Sequence, residues 1–274
     1  MAPQASAKKR RTPNWRFLTR YGLIAAGVSM VLATAIYAAH RFEKFMIRDA
    51  RFFLPGPPDY GMESPNLEAV GIKYASRAKV LHVFDQDYGS SVYLLPLAVR
   101  RKKLLDIDWV HEASVARIWP NRVFVQVTER TPAAFIKLPA ANIGRWALID
   151  EEGMILDPPA KAQFQLPVLN GVSVSESPDK RGTRVRRMQR LMKDLGPLAA
   201  KVSEVDVKDL DNLKINEEVQ GKMMSLVLGD RNFSSRLRHF LDHYTEIHRK
   251  MPQATSFDLR LDDRITALEE GDAR

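Results

Sequence analysis

Residues 114–129 read Ser-Val-Ala-Arg-Ile-Trp-Pro-Asn-Arg-Val-Phe-Val-Gln-Val-Thr-Glu, two β-prone runs separated by turn residues. Ser114 to Trp119 is predicted as a strand, Pro120-Asn121 as a tight turn with proline preset for its second position, and Arg122 to Glu129 as the returning strand. Val123, Val125 and Val127 alternate with Phe124, Gln126 and Thr128, the period of a strand with one buried face. The preceding residues supply its cover. Leu67 to Lys73 reads as a strand with Gly71 near its end, and Ser76 suits the N-cap of a helix carrying Val80, Val83 and Phe84 at i, i+3 and i+4. Asp85 to Gly89 is turn material. Pro96 fits the first turn of a second helix reaching about Asp106, with Leu97 and Leu104 two turns apart. Two helices on one side of a three-stranded sheet make an α+β module over residues 67–132, or starting as early as Arg51.

Upstream, Tyr21 to Ala39 is an uncharged, mostly apolar run of 19 residues. At the helical rise it spans about 28 Å, against about 30 Å of bilayer hydrocarbon. Lys8, Lys9, Arg10, Arg11, Arg16 and Arg20 precede it without an acidic residue, whereas the far flank mixes Arg41, Lys44 and Arg48 with Glu43 and Asp49. The positive-inside rule then predicts a single-pass, type II protein: a cytoplasmic basic tail at 1–20, a transmembrane helix at 21–40, and the remainder exported. Trp15, Phe17 and Tyr37 are expected near the interfaces. Ala33-Thr34-Ala35 resembles a signal-peptidase site, but the apolar run continues past it, so the segment reads as a retained anchor. Residues 41–66 form a juxtamembrane segment, a helix extension and short strand followed by a Pro-rich stalk or long loop from Pro55.

Downstream, residues 133–268 read as a β-rich domain with two helices, and 269–274 as a charged tail. Short strands are predicted at Phe135–Leu138, Trp146–Asp150, Met154–Leu156, Pro167–Leu169, Val205–Val207, Leu213–Ile215, Met223–Leu228 and Ser256–Leu261. One helix carries Val185, Met188, Leu191, Met192 and Leu195 on a stripe and stops at Gly196-Pro197. A longer one, about Ser234 to Lys250, has a wide apolar face of Phe233, Leu237, Phe240, Leu241, Tyr244 and Ile247.

The net charge of +9 points less to nucleic acid than to topology, because the six cations of the tail leave only +3 elsewhere. The two other basic clusters, Arg100 to Lys103 and Lys180-Arg181 with Arg184, Arg186 and Arg187, read as solvated helix faces. With zero cysteines there are no disulfides, thiol catalysts or Cys-zinc sites. No phosphate loop, nucleophile elbow or H-E-x-x-H is present. His239 and His243 share a helix face but lack a third metal ligand. Asp150, Glu151 and Glu152 are adjacent in a turn that should point them apart, and Asp206, Asp209 and Asp211 lack calcium-loop spacing. No catalytic residue, metal, cofactor or small-molecule substrate is predicted. The chain reads as a binding protein.

Trp109-Val110-x-x-Ala113-x-Val115-x-Arg117-x-Trp119-Pro120-Asn121, followed by Val125-x-Val127-x-Glu129-Arg130-x-Pro132-x-Ala134, resembles the FtsQ/DivIB cell-division family, in which this stretch ends a POTRA module. Ala147-Leu148-Ile149-Asp150-x-x-Gly153-x-Ile155-Leu156, Leu166-Pro167-Val168-Leu169-x-Gly171 and Asp258-Leu259-Arg260 are similar to later pieces of that family, in the same order. The resemblance implies a non-enzymatic scaffold of the bacterial inner membrane, concentrated at the division septum. Its implied partners are FtsB and FtsL, through them FtsW and FtsI in septal peptidoglycan synthesis, and FtsK at the POTRA module. It further implies docking on the last strand, with Asp258, Leu259, Arg260, Leu261, Ile265 and Ala267 as contact residues. An unpaired strand edge is a template for another chain, which supports that role on physical grounds alone. Leu261 stands where the family often has an aromatic. The alternative is a POTRA-bearing adaptor of an export or outer-membrane assembly system, which would be expected to carry a barrel or repeated modules.

Overall fold

A computed structural model describes residues 15–58, 63–139, 144–160, 162–261 and 264–268, with side chains from Thr19 onward. The chain divides into two compact units: Met1–Glu68, Phe84–Leu97 and Val115–Val125 in the first, Ala69–Val83, Ala98–Ser114 and Gln126–Arg274 in the second.

In the first unit, α1 runs unbroken from Trp15 to Arg48. At 34 residues it is about 51 Å long, more than a bilayer core requires. Its side chains are exposed from Thr19 to Phe45, as lipid-facing ones must be, and the first buried one is Met46. The helix extension expected after the membrane is therefore present, whereas the short strand expected there is only a 3-10 turn, Ala50–Phe52, and one bridge, Phe53 to Ser91. Leu54 is fully buried, its N–H donating to Ser90 O and its carbonyl accepting from Gly89 N–H, both at 2.9 Å. Ser64 Oγ donates to Pro55 O at 2.6 Å, so the Pro-rich stretch starts and returns at one place.

The strand-helix-helix-strand-strand order is present: β1 (Leu67–Val70), α2 (Arg77–His82), α3 (Leu97–Leu105), β2 (Val110–Ile118) and β3 (Arg122–Glu129), with sheet order β1-β3-β2. Val123, Val125 and Val127 are buried as their alternation predicts. Ser76 caps α2, accepting from Lys79 N–H. Three local details differ from expectation. β1 stops at Val70 because Gly71 has φ +81°, and a Cβ there would lie 2.0 Å from Val127 O. α2 ends at His82, leaving Phe84 buried but outside it. β2 starts four residues before the predicted Ser114, and the Trp119–Pro120 peptide is cis.

The second unit holds a nine-stranded mixed sheet. Its strands are β4 (Pro132–Leu138), β5 (Arg145–Asp150), β6 (Ile155–Leu156), β7 (Val168–Asn170), β8 (Val202–Asp206), β9 (Leu213–Val219), β10 (Lys222–Gly229), β11 (Ser256–Asp258) and β12 (Thr266–Ala267). The order is β12-β11-β10-β9-β8-β7-β4-β5-β6, with parallel joins at β10/β11, β7/β8 and β4/β7. The helices α4 (Pro178–Leu195) and α5 (Phe233–Lys250) touch each other and close the core. Val185, Met188, Leu191 and Leu195 from α4 meet Leu237, Phe240 and Tyr244 from α5 and the inward residues of the strands. Gly196, at φ +56°, ends α4 where Gly196-Pro197 predicted a stop.

Candidate functional site

The last two strands are arranged differently from the single strand expected over Ser256–Leu261. β11 is paired on both sides, parallel to β10 and antiparallel to β12, with Phe257 opposite Ala267 and Asp258 opposite Thr266. It ends at Asp258 for a local reason. The Asp258 carboxylate accepts the Arg260 N–H at 2.9 Å and its guanidinium at 2.7–3.0 Å, which turns the chain out of the sheet. That guanidinium holds the Asp258 carboxyl below the usual carboxylate range. It also donates to Asn212 Oδ1 at 2.8 Å.

Among the described residues, the open edge of the sheet therefore belongs to β12. Leu268 N–H donates to Ser256 O at 2.9 Å, and bonding directions alternate along an antiparallel pair. Thr266 and Leu268 thus face β11, and the main-chain groups of Ile265 and Ala267 face outward. Of the six proposed contact residues, Leu259 is buried in the core and Asp258 and Arg260 are occupied with each other. Ile265 and Ala267 lie at the edge. Leu261 is half exposed and, with Ile265, Asn232, Ser235, Arg236 and His239, lines a cavity of about 320 Å³ beside it. The α5 contribution is invisible in the sequence, because only folding carries the start of α5 to a strand some thirty residues later. β12 itself is too short to show a period.

The other end of the sheet carries a contact with Trp109. β6 is followed by Asp157, whose carbonyl accepts from Trp109 Nε1 at 2.9 Å, and Trp109 packs with Tyr74 and Phe164 at centroid distances of 5.2 and 6.2 Å. Trp109 is one of several motif residues that act as clips. The Glu129 carboxylate accepts the N–H groups of Lys73, Tyr74 and Ala75 at 2.7–3.0 Å, closing the turn that Gly71 opens. Arg117 donates to the carbonyls of Val92 and Leu95. Arg130 donates to Asp150 at 2.6 Å and Glu152 at 2.7 Å. Val110 and Ala113 are buried, Val115 and Pro132 half-buried, and Pro120 exposed at the turn.

Two expectations are corrected here. Asp150 and Glu152 do not point apart: being two residues apart around the turn, both reach the one guanidinium, and that lowers the Glu152 pKa. Three of the α4 arginines are not on a solvated face, while Lys180 and Arg186 are exposed as expected. Arg181 is buried and donates to the carbonyls of Gly153, Val174 and Glu176; Arg184 reaches Val207 O and Arg187 reaches Leu210 O and Asp230 O. In the first cluster Arg101, Lys102 and Lys103 are exposed as expected, Arg101 also donating to Ala113 O, and Arg100 is buried. Arg181, Arg184 and Arg187 are loop fasteners, a use of arginine's donor fork that sequence alone cannot separate from solubility.

The remaining titratable candidates have local roles. The His239 and His243 rings meet at 4.5 Å, tilted by 49°, with a His243 ring nitrogen 2.9 Å from His239 O. Among the described residues no group of three or more His, Asp or Glu side chains converges as a metal site would require. Asp206 and Asp209 accept the N–H groups of Lys208 and Asp211 in turns of their own loop.

Two family models match the chain: the FtsQ-type POTRA domain over residues 66–130, and the C-terminal region of the cell division protein FtsQ/DivIB over residues 140–260. The chain belongs to the FtsQ/DivIB family. Relatives agree. It is 33% identical over 209 residues to the cell division protein FtsQ of Koribacter versatilis, covering 74% of this chain and 59% of that one. To FtsQ of Novosphingobium aromaticivorans it is 29% identical over 219 residues, covering 78% and 64%. The chain thus spans about three-fifths of the length of these relatives. The 66–130 match covers the β1–β3 module and the 140–260 match ends before β12. The apolar α1 fits a single-pass, membrane-anchored division protein.

Proposed function

We propose that the chain is a non-catalytic scaffold of the division machinery that docks an extended partner segment, of FtsB associated with FtsL, on the outer edge of β12. One observation carries the reading: among the described residues the sheet ends at β12, in a strand whose Ile265 and Ala267 main-chain groups face outward, while at its other end Asp157, just past β6, bonds to Trp109. An added strand would satisfy those groups, and alternate side chains would enter the cavity floored by Leu261 and Ile265. With α1 as anchor and the N-terminal cations inside, the edge would face the periplasm at the septum. Through FtsB and FtsL it would act on FtsW and FtsI, and FtsK would contact the POTRA module. Asp258 and Arg260 then serve as the corner that sets the β11–β12 geometry, not as direct contacts.

The test uses the alternation. Ala267→Pro removes an outward N–H and leaves the bonds to β11 in place, as edge strands tolerate. It should weaken FtsB capture by about tenfold or more without lowering the melting temperature, from one lost hydrogen bond and the steric block of the ring. Thr266→Pro should damage the sheet itself. Undiminished capture by a folded Ala267→Pro protein refutes docking by strand addition.

A further inference from the structure

The first unit presents an apolar collar around the exit of α1. Phe42 and Phe45 on the last turns of the helix, Tyr93 and Leu94 in the 3-10 turn Val92–Leu94, and Ile118 and Trp119 at the β2–β3 turn are each 39–63% exposed. Contacts within the unit hold them together. Phe45 meets Phe52 edge-on at 5.5 Å and Phe52 meets Trp119 at 6.0 Å. The Arg117 guanidinium ties β2 to the carbonyls of Val92 and Leu95, and Ser91 Oγ donates to Met46 O at 2.7 Å. Because α1 is continuous to Arg48, with Met46 buried against this framework, the collar keeps a fixed height above the membrane segment.

The apolar run ends at Ala39, and Phe42 and Phe45 lie about 5 and 9 Å further along the axis. The headgroup layer extends about 5–8 Å beyond the hydrocarbon on each side, so the Phe42 backbone lies within it and the Phe45 backbone just past it, with side chains that lean back along the helix toward the membrane. Tryptophan and tyrosine rings favour that depth, being apolar in body and polar at one atom. Arg41, Lys44 and Arg48 sit on the same turns and suit anionic headgroups.

We propose that this collar is a lipid-contact surface, with Tyr93, Leu94, Ile118 and Trp119 seated in the headgroup layer of the bilayer that α1 spans. The proposal rests on the membrane span alone and is independent of the β12 docking reading. Continuity with the membrane segment favours lipid over a partner protein as the occupant. A surface so seated removes rocking of the first unit about the helix end.

The cysteine-free chain allows a direct test on the full-length protein, purified alone into nanodiscs of phosphatidylethanolamine and phosphatidylglycerol. Nitroxide labels on Leu94→Cys and Ile118→Cys should be several-fold less accessible to a water-soluble nickel chelate than a label on Met223→Cys, an exposed reference on β10, and more accessible to oxygen. Brominated lipid should quench the intrinsic tryptophan emission, and Trp119→Phe should remove part of that quenching. Labels as open to the chelate as the reference, or quenching unchanged by Trp119→Phe, overturn the proposal and leave the collar to a protein partner.

Discussion

Glu217→Leu should stabilise the protein, and by more at higher pH. Glu217 lies on β9 between Val202 of β8 and Met224 of β10, and the alternation of that strand puts it on the same inward face as Leu213, Ile215 and Val219. Its side chain is fully buried, and neither carboxylate oxygen has a hydrogen-bond partner. Burial pushes its pKa up, with the charge of Lys201 opposing. An acid with a raised folded pKa adds stability that is complete below its ordinary pKa and is lost as pH rises through the folded value. At neutral pH and above, the fold therefore carries an unpaired buried charge or an unpartnered acid. A buried polar group left unsatisfied costs about 1–3 kcal/mol, and more when charged. Leucine also restores apolar contact in that layer, so a gain of about 3 kcal/mol is expected at pH 8, or about 6–12 °C in melting temperature for a unit of this size. Glu217→Gln, which removes the charge but keeps an unpartnered amide, should gain less. Near-UV circular dichroism melts of the full-length protein in detergent from pH 5 to pH 8 provide the assay. The advantage of Glu217→Leu should shrink as pH falls. A variant that melts lower than the parent at pH 8 would show that the carboxylate is partnered, and the reasoning would fail.

Arg130→Met should cost about 3–5 kcal/mol, because it leaves the 4%-exposed Asp150 without its ion partner. Combining it with Asp150→Asn should recover part of that loss, and urea titration of the single and double variants decides; additive losses would refute a shared network. Gly71→Ala should cost about 2 kcal/mol or more, from its positive φ and the close approach of Val127 O. Gly89→Ala, which has a similar φ but open space at its Cβ, serves as the comparison and should cost less in the same titration. An equal loss at both would mean that the close approach contributes nothing.

Much of the architecture was legible because it is local. The Val123, Val125, Val127 alternation, the Ser76 cap, the α4 and α5 stripes and the Gly196-Pro197 stop each depend on residues within a turn or two of one another. The site was legible only in outline. Asp258-Leu259-Arg260 was expected inside one last strand, yet the Asp258 carboxylate's grip on the guanidinium two residues on shortened β11 and left the edge to a two-residue strand with no period to read. The arginines of α4 misled for a related reason: a guanidinium fastening a distant carbonyl and one facing water have the same sequence.

By itself the sequence determined the membrane helix, the order of elements and which faces of them are apolar, since hydropathy and periodicity act over a few residues. Only the tertiary structure decided that α1 docks through Met46 and Ser91, that Trp109 bonds to the residue after β6, and that, among the described residues, Ile265 and Ala267 carry the free edge at β12. Those outcomes depend on which hydrogen-bonding groups are already satisfied by residues tens of positions away, and no local pattern contains that information.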